Sequence, residues 1–322
     1  MSPEHRFDVT AYGESMIRLS VPPGHYFATA TSLDLNVGGA ESNVCGVLAQ
    51  LGRQAGWFSA LPRSPLSRVV LSRLRQAGID TAGVHFSEGG RVGTYFMESA
   101  YPPLPTTVEY DRAGSAFSQH GVTDEQLQHI VDSRIVHLTG ITAALGELPL
   151  ASLDRVMTQA KLAGALVSFD INYRERLWTS ESAGPVLTKI AATADILFCS
   201  LRDAVRLFGA EPNGHSAIAA LRKVTAAELI VVSLGERGVV AQYGKDLLSV
   251  PAVPTEVIDR PGAGDALAGA VLDGYLNGDV RGGLEAGVAL ASIVLSHHGD
   301  MVFVDRKTLE STTLERRSDI AR

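Results

Sequence analysis

The chain has 322 residues, 45% of them apolar and 20% charged, ordinary globular composition that suits one α/β domain built around a single sheet. A net charge of −7 with no long basic run argues against nucleic acid and anionic membrane as partners, while leaving room for an anionic small molecule bound by a few local cations. No stretch approaches 18 uninterrupted apolar residues, the N-terminus lacks an apolar core of signal-peptide length, and the only cysteines, Cys45 and Cys199, stand far apart in apolar surroundings; a reduced, cytoplasmic protein with two free thiols is expected.

Along the chain, "FDVTAYGESMIRLS" (7–20), "RVGTYFMESA" (91–100) and "TTVEYDRAGSA" (106–116) read as strands with polar alternation, exposed on one face, and predict a small antiparallel lid drawn from about 12–37 and 91–113. Between them, "GGAESNVCGVLAQLG" (38–52) opens on glycines and turns helical. From 134 onward short apolar runs alternate with helical patterns: a strand at 134–140, a helix at 149–164 closed by glycine, a strand at 165–170, a helix near 182–192, and strands at 195–200 and 228–235. This rhythm predicts a doubly wound, mostly parallel sheet with helices on both faces. Ligands of such sheets collect beyond the carboxyl ends of the strands, which selects Gly140 and Ile141, Asp170 to Arg174, Ser200 to Asp203, Gly235 to Gly238, and the run "DRPGAGDALAG" at 259–269.

That last run carries the most chemistry. A helix beginning at about Ala263 to Asp265 offers first-turn amides with no internal partners, and the preceding glycines let them close on a phosphate. Asp265 is open to two readings, a first-turn acid favoured by the helix dipole or a proton acceptor at the rim of an anion pocket. Position 267 is Leu, so the dinucleotide fingerprint G-x-G-x-x-G fails, and no Gly-Lys-Ser/Thr follows to make a Walker loop. Phosphoryl transfer to an alcohol suits the arrangement, since it needs donors for the developing charge and an acceptor for the hydroxyl proton. Other constellations carry less. His297 and His298 are adjacent rather than one turn apart, Arg63, Arg68, Arg73 and Arg75 read as a solvated helix face, and "GESMI" lacks the glycine of a nucleophile elbow.

Taken together and in order, "GGAESN", "DINYRERLW", "SLGERG" and "DRPGAGDALAG" resemble the ribokinase-like (PfkB) family of carbohydrate kinases over roughly residues 8 to 305. The resemblance implies one kinase domain over 1–322 with a β-sheet lid, transfer of the ATP γ-phosphate to a sugar hydroxyl, Mg²⁺ as cofactor, and a monovalent cation as a further candidate. It places the catalytic base on Asp265, the anion hole on Gly262, Ala263 and Gly264, sugar contacts on Gly38, Gly39 and Asn43, and the nucleotide-side turn on Ser233, Gly235 and Gly238. The chain departs from the family where Glu41 replaces a small residue, where Arg260 replaces Thr, and where Ser200 and Asp203 stand in for the Asn-x-x-Glu near metal and phosphates; the metal ligands are left unassigned.

Several features resemble the 2-keto-3-deoxygluconate kinase branch, namely "GGAE-x-N", "FDINYR" before "LW", "TGITAAL" (139–145), "YDRAGSA" and the Asp-Arg before the glycines. A sugar-acid carboxylate calls for a guanidinium. Arg174 sits where ligand is expected, and Arg112, Tyr95, Tyr110 and Ile141 are candidates to cover the sugar. Each has a structural alternative: the tyrosines as mutually packed strand aromatics, Arg112 as a solvated turn residue, Arg174 as the partner of Glu175, and Asp170 as either an anchor for Arg174 or a turn cap. Within the family a fructokinase is the alternative; outside it stand an NAD-linked dehydrogenase and a non-catalytic sugar-binding sensor. A homo-oligomer paired through the lid sheet is a further expectation.

Overall fold

The computed structural model describes residues 5–99 and 106–312; positions 100–105 of the expected lid lie outside them. Among the described residues eight strands form the main sheet, in spatial order Asp246–Val250, Val239–Tyr243, Leu229–Ser233, Ile196–Ser200, Leu166–Asp170, Ser133–Thr139, Phe7–Tyr12 and Ala55–Phe58. All neighbours pair in parallel except the first two strands of that order, which return antiparallel along one edge. The alternation of a strand divides its side chains between two cores. Leu197 and Cys199 pack with one set of helices, while Ile196 and Phe198 pack with the other. Buried on both faces, these strands need apolar residues at nearly every position. The helix Glu147–Ala163 ends at Gly164, left-handed at φ 82°, as its terminal glycine predicts.

The N-terminal strands differ from expectation in two ways. Phe7–Tyr12 is not half-exposed but an interior strand of the main sheet, paired on both sides and almost wholly buried. Its polar residues misled: Thr10 is buried, its hydroxyl donating to the Ile130 carbonyl at 2.7 Å. The lid sheet, in order Asp34–Gly38, Met16–Ser20, Thr94–Glu98 and Thr107–Asp111, is mixed rather than antiparallel, because its two central strands pair in parallel. The strand order reverses at Phe7–Tyr12: the chain next adds Ala55–Phe58 on one side of it and then returns to add Ser133–Thr139 on the other. The crevice beyond its carboxyl end is therefore a topological switch point.

The helix Ala263–Leu276 packs on Ala40–Gln50 and on Val280–Leu295, and its residues Ala266 to Gly274 are all buried. Close approach to the second of these helices depends on Gly274: a Cβ there would lie 2.5 Å from Gly283 Cα and 2.6 Å from the Asp279 carbonyl oxygen. Both obstacles are backbone, so the crossing cannot yield by moving a side chain. Gly274→Val is expected to lower the unfolding free energy by about 1–3 kcal/mol through overpacking. Urea denaturation checks this, and an unchanged midpoint would refute it.

Candidate active site

At the switch point lies a cavity of about 410 Å³, between the carboxyl ends of the parallel strands and the inner face of the lid. One wall is the N-terminus of the helix starting at Ala263. Its N-cap Gly262 is left-handed at φ 90°, and no side chain caps the first turn. The first-turn amides thus keep their donors for a ligand, at the positive end of the dipole. No residue with a Cβ fits at 262, because that atom would lie 2.0 Å from the Asp300 carbonyl oxygen.

Asp265 faces the same cavity, and its Oδ2 accepts from Asn43 Nδ2 at 2.7 Å. Asn43, expected on the sugar, lines the cavity and also holds the carboxylate. Burial raises the Asp265 carboxyl to about 6, with Asp300 and Glu41 adding to the rise and Asn43 and Arg174 opposing it. The loop after Leu166–Asp170 contributes two further groups. Asp170 Oδ1 accepts from the Asn172 amide at 3.1 Å, and Asn172 itself is left-handed at φ 39°, a conformation asparagine tolerates better than most residues. Burial and the neighbouring Asp265 and Asp203 push Asp170 up to about 7.

Arg174 lines the cavity, and its guanidinium makes no hydrogen bond or ion pair among the described residues; Glu175, its suggested partner, binds Arg206 instead. Asp170 does not anchor it, yet the guanidinium lies near enough to Asp170, Asp203 and Asp265 to favour the charged form of all three. Arg112 is not a solvated turn residue, for both its Nε and its Nη2 bind Glu14 Oε2, and the pair is buried. Tyr95 and Tyr110 do pack on one another, with ring centroids 5.7 Å apart, and both also line the cavity.

Of the remaining sequence candidates, Gly38, Gly39, Ile141, Ser200, Asp203, Ser233, Gly262 and Gly264 line the cavity. Ala263, Gly235 and Gly238 do not. Ala263 lies inside the wall as the first helical residue, while Gly235 and Gly238 shape the turn that leads into the antiparallel strand Val239–Tyr243. The structure also brings in residues that sequence reasoning passed over, Glu14, Arg18 and Asp300, and gives Asp259, read in the sequence only as part of the Asp-Arg signature, a buried partner in Arg18. Glu41, noted only as a departure, is buried and spans the switch point, its Oε1 accepting from Thr139 and Thr142 at 2.8 Å each. An isolated charge on a buried stretch was the available signal for Arg18 and Glu41.

Residues 6–306 match the pfkB family of carbohydrate kinases. The chain belongs to that family. The kinase is 33% identical over 304 residues to a 2-dehydro-3-deoxygalactonokinase of Haloferax volcanii, covering 94% of this chain and 95% of the relative. It is 29% identical over 302 residues to a 2-dehydro-3-deoxygluconokinase of Thermoproteus tenax, covering 92% and 91%. The crystal structure of a 2-dehydro-3-deoxygluconokinase of Thermotoga maritima superposes with a TM-score of 0.85 at 30% identity, covering 95% of this chain and 99% of that one. The kinase is thus a phosphotransferase acting on a sugar.

Such transfer ordinarily uses a divalent cation. Asp203 Oδ1 is buried and accepts no hydrogen bond among the described residues, with Arg202 Nε no nearer than 3.9 Å, and Asp170 holds a carboxyl group in electrostatic reach of it. No group of three or more His, Cys, Asp or Glu among the described residues encloses an ion by itself. One or two carboxylates with room for phosphate oxygens and water is the pattern Mg²⁺ prefers, so the residues fit.

The raised Asp265 carboxyl has a thermodynamic cost. Its folded value of about 6 exceeds the model-peptide value of 3.8, so the stability it contributes is full at low pH and is lost as pH rises through about 6. In the ligand-free enzyme, Asp265→Asn is expected to raise the unfolding free energy by about 1–3 kcal/mol at pH 8 and to have no effect near pH 4. Urea titrations at the two pH values check this; equal effects at both would refute it.

Proposed function

We propose that the kinase transfers the γ-phosphoryl group of MgATP to the terminal hydroxyl of a 2-keto-3-deoxy sugar acid, with 2-keto-3-deoxygluconate giving its 6-phosphate. The observation that carries this reading is Arg174, a guanidinium without a protein hydrogen bond in the same cavity as Asp265. A buried substrate carboxylate needs such a cation, and the guanidinium's fork matches it in a bidentate way. The names of the relatives support the same acceptor class.

In this reading Asp265, held by Asn43, takes the proton of the attacking hydroxyl. The 262–265 backbone and the helix dipole hold the charge on the transferring phosphoryl. Tyr95, Tyr110 and Arg112 cover the acceptor with Gly38, Gly39 and Ile141, and the lid excludes water that would otherwise hydrolyse ATP. Ser200, Ser233 and the turn Gly235–Gly238 lie on the nucleotide side. Asp203 and Asp170 would hold Mg²⁺, which neutralises phosphate charge when bound.

A neutral ketose such as fructose is the second reading. It is favoured by the Glu14–Arg112 pair, which commits one of the guanidiniums lining the cavity to a partner within the protein. Phosphorylation of a panel of sugars and sugar acids by Arg174→Ala separates the two. A loss of 10-fold or more confined to acids is expected; equal losses on neutral sugars would assign Arg174 to the phosphates.

Asp265→Asn is expected to lower kcat by about 10²–10⁴-fold, the usual worth of a positioned base. The wild-type rate should rise with pH through about 6, as the carboxyl ionises, and then level off. A flat profile between pH 5 and 8, or near-full turnover by Asp265→Asn, would overturn the assignment.

A further inference from the structure

Glu14 and Arg112 meet in the cavity wall in a pairing that leaves part of each unmet. Glu14 stands just beyond the carboxyl end of Phe7–Tyr12, and Arg112 directly follows the lid strand Thr107–Asp111. Their side chains are 4% and 10% exposed, and both residues line the cavity. Glu14 Oε2 accepts from Arg112 Nε at 2.9 Å and also from Nη2. Among the described residues, Glu14 Oε1 is buried and accepts no hydrogen bond, and Arg112 Nη1 donates none.

Charge compensation alone does not require this arrangement. A guanidinium and a carboxylate pair best fork to fork, with one donor to each oxygen. Here both donors fall on one oxygen, and the other goes unpartnered in a buried place, which is costly. The surroundings hold the pair in that register. A Cβ on Gly93 would lie 2.9 Å from Glu14 Oε1 and 3.4 Å from Arg112 Cβ, so the chain closes on both partners there. A Cβ on Gly39 would lie 2.4 Å from the Glu14 carbonyl oxygen, so the glycine motif backs the Glu14 main chain. Asp111, the acid next to Arg112, is already taken by Arg91. Tyr110 lies near the guanidinium, its ring centroid 5.9 Å from Cζ. Arg112 thus has one hydrogen-bonded carboxylate to set its direction and one nitrogen left over.

We propose that Glu14 is a positioning residue for acceptor binding: it holds Arg112 by the Nε–Nη2 edge so that Nη1 is presented to an oxygen of the acceptor. Its own carboxylate need not touch the acceptor. Pairing is given up at Oε1 to keep that direction. The inference rests on the reading that Arg112 covers the acceptor, and it explains why an acid at the switch point sets acceptor affinity.

The test is a double-mutant cycle on the acceptor KM, with 2-keto-3-deoxygluconate or, if the panel selects it, D-fructose. Arg112→Ala is expected to raise that KM about 10–100-fold, the worth of a charged hydrogen bond, with the KM for ATP within about 2-fold of wild type. Glu14→Ala should raise it by a comparable factor. Combined with Arg112→Ala it should do no more than Arg112→Ala alone, because the two residues act as one unit. Glu14→Gln keeps an oxygen for both donors and should hold the acceptor KM within about 3-fold of wild type.

Should Glu14→Ala fail to fold, Gly93→Ala carries the same readout. Its methyl meets both partners, and the Gly93 backbone is pinned by the Ile17 amide, which donates to its carbonyl at 3.0 Å. The acceptor KM should rise at least about 5-fold, and that rise should vanish in the Arg112→Ala background. Multiplied effects in the double variant, a Glu14→Ala KM equal to wild type, or equal losses for ATP and acceptor would overturn the proposal. An Arg112→Ala enzyme with unchanged acceptor KM would instead overturn the reading of Arg112 itself, and the inference with it.

Discussion

A guanidinium shut away from water between two carboxylates is the constraint on which the site is built. Arg18 arrives on the lid, Asp259 on the approach to the cradling helix, and Asp300 on the segment after the last long helix, so three distant stretches of chain converge on one charge. Burying such groups is costly and is tolerated only with near-complete pairing, which Arg18 obtains through all three of its nitrogens. Geometry follows from that requirement. Asp300 can reach Arg18 only if Gly38 and Gly262 have no side chains, and those are the positions where the two glycine motifs border the cavity.

Around that fixed point the cavity is left electrostatically incomplete. Asp203 and Asp265 lie close enough to Asp170 to raise its proton affinity, Asp203 Oδ1 accepts no hydrogen bond among the described residues, and the first turn of the helix at Ala263 has no side-chain cap. Arg174 stands among the acids without a bond of its own. Each feature lowers the stability of the empty protein, and each is relieved by a ligand with phosphates, a divalent cation and an acidic or polyhydroxylated acceptor. Stability is given up where binding and transfer require open donors and acceptors.

Much of the fold was legible because its signals are local. The strand at 229–233 and the helix at 147–163 declare themselves by apolar runs and by a closing glycine. Phe7–Tyr12 was misread because Thr10 and Asp8 imitate the alternation of a half-exposed strand. Thr10 is instead buried within the sheet, its hydroxyl satisfied by a carbonyl 120 residues away. At the site, Asp265 and the glycines before it were visible in one continuous run. The partners of Asp265 were not, since Asn43 reaches it across 222 positions. Arg112 illustrates the same limit: its residue type suggested a substrate cation, and only the neighbouring Glu14 reveals that its charge is already met.

Residue order alone was enough to indicate the class of fold and the stretch that carries the anion-binding helix start, because backbone freedom, helix termini and buried strands are written in adjacent residues; the carbohydrate-kinase family came from the resemblance of its motifs. Which acids share a cavity, which guanidinium is free and which is spoken for, and why Gly38 and Gly262 admit no side chain emerged once the chain was folded. Charge compensation and close approach depend on distances between segments that the order of residues does not encode. Arg18 shows the division most plainly. In the sequence it is a lone cation on a lid strand; in the folded protein it is the tie between the lid and the loop that cradles phosphate.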